Sequence, residues 1–150
     1  VRLRGMDGGK FYILVAFLLS MVADSGAYFV GRACGKHKLA PIVSPKKTVE
    51  GAVGGVVCNI VFLCLYTLLL NKCFGFTQVN YFYAAIYGVL GAAASIVGDL
   101  TLSVVKRQVG IKDYGNLIPG HGGILDRFDS TMLVAPLTEL LILLIPFAVK

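Results

Sequence analysis

The chain has 150 residues, 57% of them hydrophobic and 15% charged, with 14 Lys and Arg against 8 Asp and Glu. A soluble domain is usually about half apolar and about a quarter charged, so this composition argues against water as the chain's main solvent. The net charge of +6 would suggest nucleic acid on a soluble protein. On an apolar chain the placement of the bases carries the meaning instead, and no nucleic-acid partner is expected.

Four apolar stretches follow one another. Residues 11–23 continue past Asp24 to Val30. Residues 52–70 carry no charge, and residues 81–98 carry none before Asp99, after which the run goes on to Val105. Residues 130–149 are broken only by Glu139. Crossing the hydrocarbon takes about 20 apolar residues in a helix. None of the runs alternates polar with apolar, which argues against barrel strands. The fold expected is all-α, a polytopic integral membrane protein with four transmembrane helices near 11–30, 52–70, 81–105 and 124–149. They form a single membrane-embedded domain over 1–150. Gly51 and Gly55 make a G-x-x-x-G step, and Gly88, Gly91, Ala92 and Ser95 make a small-residue face; such faces let helices approach closely in lipid. Cys34, Cys58, Cys64 and Cys73 form no C-x-x-C pair and read as buried apolar residues.

The connection between the first two helices holds Arg32, Lys36, Lys38, Lys46 and Lys47, and that between the last two holds Lys106, Arg107, Lys112 and Arg127. The connection between the second and third holds only Lys72. By the positive-inside tendency the two basic connections face the cytoplasm.

Carboxylates inside membrane helices are costly, about 2.5–3.5 kcal/mol for a central Asp on insertion scales, so Asp24, Asp99 and Glu139 are functional candidates. An ion-coupled transporter using them is one reading. Asp99, Ser103 and Lys106 recur at i, i+4 and i+7 and share a helix face, with Arg107 next to it; an internal helix-end ion pair would explain this equally well. Residues 112–123 then form a polar, glycine-rich segment, Lys112-Asp113-Tyr114-Gly115-Asn116-Leu117-Ile118-Pro119-Gly120-His121-Gly122-Gly123. Free N–H groups in such a segment can cradle anionic oxygens. If the last helix begins near Ile124, Asp126, Asp129 and Ser130 lie on one face; a helix cap is the alternative for Asp129 and Ser130. Carboxylates beside Lys, Arg and a glycine loop suit a metal–phosphate site, because Mg²⁺ takes one or two carboxylates plus substrate phosphates. No Cys-His or His-His spacing supports zinc.

These motifs resemble the phosphatidate cytidylyltransferases, the CDP-diacylglycerol synthases. That family's pattern S-x-x-K-R-x-x-x-x-K-D-x-x-x-x-x-P-G-H-G-G-x-x-D-R-x-D is filled by Ser103, Lys106, Arg107, Lys112, Asp113, Pro119, Gly120, His121, Gly122, Gly123, Asp126, Arg127 and Asp129. Gly98-Asp99-Leu100 is similar to its G-D-L step, and Asp24, Ala27, Tyr28 and Gly31 to its D-x-x-A-Y-x-x-G pattern. Leu39-Ala40-Pro41 and Ser44-Pro45-Lys46-Lys47-Thr48 are similar to its L-A-P and S-P-x-K-T loop; Val49 stands where an aromatic residue is usual.

The resemblance implies transfer of a cytidylyl group from CTP to phosphatidate, giving CDP-diacylglycerol and pyrophosphate at the cytoplasmic face of a bacterial inner membrane, and it implies that this domain is the C-terminal half of a longer chain. It implies that Asp99 and Asp126 bind Mg²⁺, and that Lys106, Arg107, Lys112 and Arg127 hold phosphate oxygens. Asp113 belongs to the same catalytic motif. Ser103 would ligate a cation or phosphate, Asp129 complete the acid cluster and His121 hydrogen-bond a phosphate. Asp24, Ser44, Lys47, Gly120, Gly122 and Gly123 would contribute to substrate binding. A second cation and a homodimer stay open. So does a related CTP-using lipid enzyme, such as a CDP-archaeol synthase or a polyprenol kinase.

Overall fold

The structure is a computed structural model, and it describes residues 9–74, 78–111, 128–145 and 148–149. Helix α1 spans Gly9–Cys34, α2 Val49–Phe74 and α3 Tyr81–Gln108; a shorter helix, α4, spans Thr131–Leu144. Strands β1 (Lys38–Ala40) and β2 (Ser44–Thr48) form an antiparallel ribbon between α1 and α2. Strand β3 (Gln78–Val79) pairs antiparallel with β4 (Ala148–Val149) at the other end of the bundle. The all-α polytopic class expected from the sequence is observed: Ile13–Cys34, Val49–Cys73 and Tyr81–Gln108 are each long and apolar enough to cross a membrane. The chain is an integral membrane protein.

The helices begin and end where local chemistry dictates. Asn80 caps α3, its side-chain oxygen accepting from the N–H groups of Phe82 and Tyr83. Gly110, at φ 75°, closes α3 in the left-handed conformation, with Gly110 N–H donating to Arg107 O and Ile111 N–H to Lys106 O. That pair of bonds is the glycine-terminated helix end that satisfies the last carbonyls. Thr48 caps α2 by accepting from Gly51 N–H at 3.1 Å. Glu50, in the first turn of α2, accepts from the backbone N–H groups of Lys36 and His37 and bonds the His37 ring at 2.7 Å. The ribbon is thereby tied to the start of α2.

Without a hydrophobic drive between helices in lipid, close packing holds the bundle together. The G-x-x-x-G step faces α1. A Cβ at Gly51 would stand 2.6 Å from Ala27 O, and one at Gly55 would stand 2.8 Å from Ala23 O. The small-residue face of α3 packs inward as well, Gly88 against Ile60 and Gly91 against Leu19. Val15, Leu19, Leu63, Leu70, Tyr87, Val134 and Ile142 fill the core. Tyr87 donates its hydroxyl to Ile145 O at 2.9 Å, joining α3 to the end of α4. Many large apolar side chains are exposed along the helices, as in the stripe Val49, Val53, Val57, Val61 and Leu65 on α2. Asn59 is wholly buried on α2, and neither amide atom has a hydrogen-bond partner among the described residues.

Three expectations change. The last helix was expected over 124–149, but α4 covers only 14 residues, about 21 Å at 1.5 Å per residue. Residues 124–127 lie outside the described residues, and residues 148–149 are strand because they find backbone partners in β3. The connection expected to be a loop between the first two helices is a β-ribbon. None of the four cysteines is buried: Cys34 and Cys73 are exposed and Cys58 and Cys64 half-buried, all as free thiols. Cys58 lies along the α1–α2 seam, where its side chain covers Gly26.

Candidate active site

A cavity of about 430 Å³ opens where the ribbon, the end of α3 and the approach to α4 meet. Its charged lining is Asp24 from α1, Lys46 and Lys47 from β2, Asp99 and Lys106 from α3, and Asp129 just before α4; Ser44 and Thr48 of β2 also line it. Of the residues singled out in the sequence, Asp24, Ser44, Lys47, Asp99, Lys106 and Asp129 are brought together here. Ser103 stands behind Asp99, donating its hydroxyl to Asp99 Oδ1 at 3.2 Å. Arg107 turns to the ribbon, its Nε donating to Val43 O at 3.4 Å. Lys112, Asp113, Gly120, His121, Gly122, Gly123, Asp126 and Arg127 lie outside the described residues.

Asp99, Ser103 and Lys106 all lie on α3, but the alternative of an internal ion pair along that helix is not what forms. Asp99 and Ser103 do bond along the face, but the partner of Asp99 among the bases is Lys47, with Nζ 2.6 Å from Oδ2. Lys106 lies 3.9 Å from Asp129 Oδ2 instead. The base one turn beyond Ser103 thus reaches across to the next element, and a lysine from β2 takes its place. Each ion pair crosses between elements, so the cavity walls are joined by charge.

Asp24 holds a different position from the other acids. Its Oδ1 accepts from Ser95 at 2.8 Å and its Oδ2 from Ser130 at 2.7 Å, and both serines are wholly buried. Hydrogen bonds to a charged acceptor contribute about 1.5–3 kcal/mol each. One carboxylate therefore joins α1, α3 and the start of α4. Ser130 occupies the cap position of α4 but makes no side-chain cap bond. Its hydroxyl serves Asp24, while its N–H donates to Asp129 Oδ1 at 2.8 Å. Ser20 of α1 adds a bond to Thr131 at 2.7 Å. Gly98 admits this junction: a Cβ there would lie 3.1 Å from Asp129 O.

Burial pushes the Asp129 carboxyl up to about 6, and the neighbouring Asp99 adds to the rise; the Ser130 N–H and Lys106 oppose it. Among the described residues no three His, Cys, Asp or Glu side chains converge on one point as a metal group. Mg²⁺ needs no such cluster, since one or two carboxylates with phosphates and water suffice. The chemistry of the lining fits it: Asp99 offers an oxygen that already holds a cation, the Lys47 ammonium, beside a cavity with further bases for phosphate.

Sequence reasoning did not single out Ser95 and Thr48, nor Lys46 as a site residue. Ser95 lies on the same α3 face as Asp99, one turn earlier, and its small-residue context disguised it as packing. Lys46 and Thr48 stand in the same short motif as Lys47.

Residues 3–145 match the model of the cytidylyltransferase family. The chain is 43% identical over 135 residues to a protein of Staphylococcus saprophyticus named phosphatidate cytidylyltransferase, covering 90% of this chain and 50% of that one. A protein of the same name from Staphylococcus epidermidis is 44% identical over 135 residues, and one from Staphylococcus aureus 43% over 137, with the same coverage. The chain spans about half the length of these relatives. With a matching model over nearly all of its length and a cavity built from the motif residues, the chain belongs to the cytidylyltransferase family.

Proposed function

We propose that this chain carries the catalytic centre of a phosphatidate cytidylyltransferase, which joins CTP to phosphatidate and releases pyrophosphate. The observation that supports this most directly is the cavity itself. Carboxylates and ammonium groups from four segments line one opening at the basic end of a membrane bundle. CTP is water-soluble and phosphatidate stays in the bilayer, so the two meet only at an interface. The bases gathered at this end support a cytoplasmic position for that interface, by the positive-inside tendency.

In the reaction, an anionic oxygen of the phosphatidate phosphate attacks the α-phosphorus of CTP. The bond from the α-phosphorus to the bridging oxygen breaks, and pyrophosphate leaves. The attacking group is already ionised, so no strong base is required, and positioning with charge neutralisation supplies the rate. Lys46, Lys47 and Lys106 are placed to hold phosphate oxygens. Asp99, with Asp126 of the same motif, would hold Mg²⁺, which when bound neutralises charge on the nucleotide's phosphates. Asp24 keeps Ser130 and the adjacent Asp129 against the end of α3.

The test uses membranes containing the full-length protein, phosphatidate, Mg²⁺ and CTP labelled at either the α or the γ position. Lipid carrying the α label, with the γ label in pyrophosphate, is the expected result. Lipid carrying the γ label would make the protein a lipid kinase, and label in neither position would overturn the assignment.

A further inference from the structure

Lys47 and Asp99 come from β2 and α3, yet the Lys47 ammonium lies 2.6 Å from Asp99 Oδ2. The other oxygen of Asp99 accepts from Ser103. Both carboxylate oxygens are therefore engaged by the protein's own groups. Mg²⁺ binds oxygen at about 2.0–2.1 Å and demands its own octahedral shell. An ammonium in contact with the same oxygen takes one of its lone pairs and repels a second cation placed on the other. Asp99 in this arrangement holds a metal less tightly than it would without Lys47.

The charge inventory points the same way. Asp24, Asp99 and Asp129 face Lys46, Lys47 and Lys106 around the cavity, three carboxylates against three ammonium groups. Among the described residues these lining groups balance when all are ionised. A divalent cation by itself leaves an excess of positive charge, and a nucleotide triphosphate by itself an excess of negative charge. In a partly buried site such imbalances are only weakly screened. The two ligands together partly offset each other, and the phosphates offer a lining base a second anionic partner besides its carboxylate. Lys47 is suited to that exchange. Its backbone is held by the Thr48 cap next to it and by Glu50, which clamps the ribbon to α2. Its flexible four-carbon stem lets the ammonium turn while the strand stays in place.

We propose that Lys47 is the resident counter-ion of the cation seat on Asp99, and that nucleotide phosphates draw it away, so that divalent cation enters that seat together with nucleotide and not before it. The inference rests on reading the cavity as a CTP site, and it adds an order of binding to that reading.

The experiment titrates Mn²⁺, as a paramagnetic stand-in for Mg²⁺, into the full-length protein in detergent without nucleotide, reading bound metal by electron paramagnetic resonance. Lys47→Met keeps most of the stem and removes the charge. It is expected to bind Mn²⁺ about tenfold more tightly than wild type, within the usual range of coupling between sites. Lys47→Arg, which keeps the charge, should stay within about twofold of wild type and controls for disturbance of the ribbon. The double variant Lys47→Met with Asp99→Asn should lose the gain, assigning it to Asp99. Binding of CTP in the presence of EDTA, measured in parallel by equilibrium dialysis, should weaken in Lys47→Met. Unchanged Mn²⁺ affinity in Lys47→Met would overturn the exchange, even if CTP binding fell. Failure of wild type to bind CTP or to transfer its α label would overturn the functional reading, whatever the Mn²⁺ titration gave.

Discussion

Along the α1–α2 seam the two helices meet through backbone, whereas at the ribbon end of the same helices the chain meets its neighbours through charge. In the seam, Gly51 and Gly55 bring α2 against the carbonyls of Ala27 and Ala23, and no side chain longer than a hydrogen fits. At the ribbon end, Lys47 meets Asp99 and Lys106 meets Asp129, through long side chains that can change partners. The first region has one low-energy arrangement because close-packed contacts leave little room to relax. The second joins its walls through ion pairs and opens onto a cavity. The seam fixes where the ends of α1, α2 and α3 stand, and the ribbon end uses that placement.

The largest effect is expected from breaking the seam. Gly51→Leu places side-chain atoms where a Cβ alone would already lie 2.6 Å from Ala27 O. Overpacking of this kind costs about 1–3 kcal/mol, occasionally more, and here the obstacle is backbone. The variant should lose most of its folded yield in detergent, measured by size-exclusion chromatography. Wild-type yield would show that the seam can open.

Asp99→Asn tests the other region. It should lower cytidylyl transfer by about 100-fold or more, the scale of losing a main electrostatic contact in a transition state. Its melting temperature should stay near that of wild type, because Asn keeps the shape. Full activity at unchanged Mg²⁺ dependence would remove Asp99 from the chemistry.

Asp24 lies between the two regions and should behave as a structural tie. Asp24→Ala leaves the buried hydroxyls of Ser95 and Ser130 without their acceptor. An unsatisfied buried group costs about 1–3 kcal/mol, so thermal unfolding should occur several degrees lower. Asp24→Asn, which keeps an acceptor oxygen, should recover part of the loss. Equal melting temperatures for Asp24→Ala and wild type would count against the tie.

A smaller effect is expected from Asp129. Its carboxyl is raised from 3.8 to about 6, so the fold favours the protonated form. The resulting stability is fully present below about pH 4 and is lost as pH rises through about 6. Wild type should therefore lose melting temperature relative to Asp129→Asn between those values, measured without nucleotide or metal. A parallel pH profile for the two proteins would show that burial does not hold the proton.

The smallest change concerns Asn59, buried within the bundle without a hydrogen-bond partner among the described residues. Replacing an unpaired buried amide with a compact apolar group removes its desolvation cost. Asn59→Val should be neutral or stabilising by about 1 kcal/mol, by thermal unfolding. A marked loss would mean that the amide has a partner after all.

Much of this protein was legible in its sequence, for local reasons. Charge-free runs of helical length announced α2 and α3, since hydrocarbon tolerates only backbones that satisfy themselves. The G-x-x-x-G step identified the face of α2 that meets α1. That Ser103 shares a face with Asp99 followed from helical periodicity, which links residues four apart whatever surrounds them, and the structure adds the bond between them. The length of α4 was not legible, because apolar residues 148–149 suit strand as well as helix and a partner in β3 decided between them. The partners of the charged groups lay furthest from view. Periodicity placed Lys106 on the Asp99 face, but the fold gives Asp99 to Lys47 and Lys106 to Asp129, and it binds Asp24 to serines 71 and 106 positions away. A sequence pattern fixes which side of its own helix a residue occupies. Which residue stands opposite depends on how far one helix is slid and turned against the next, and in this bundle that register is set by the glycine contacts between α1, α2 and α3.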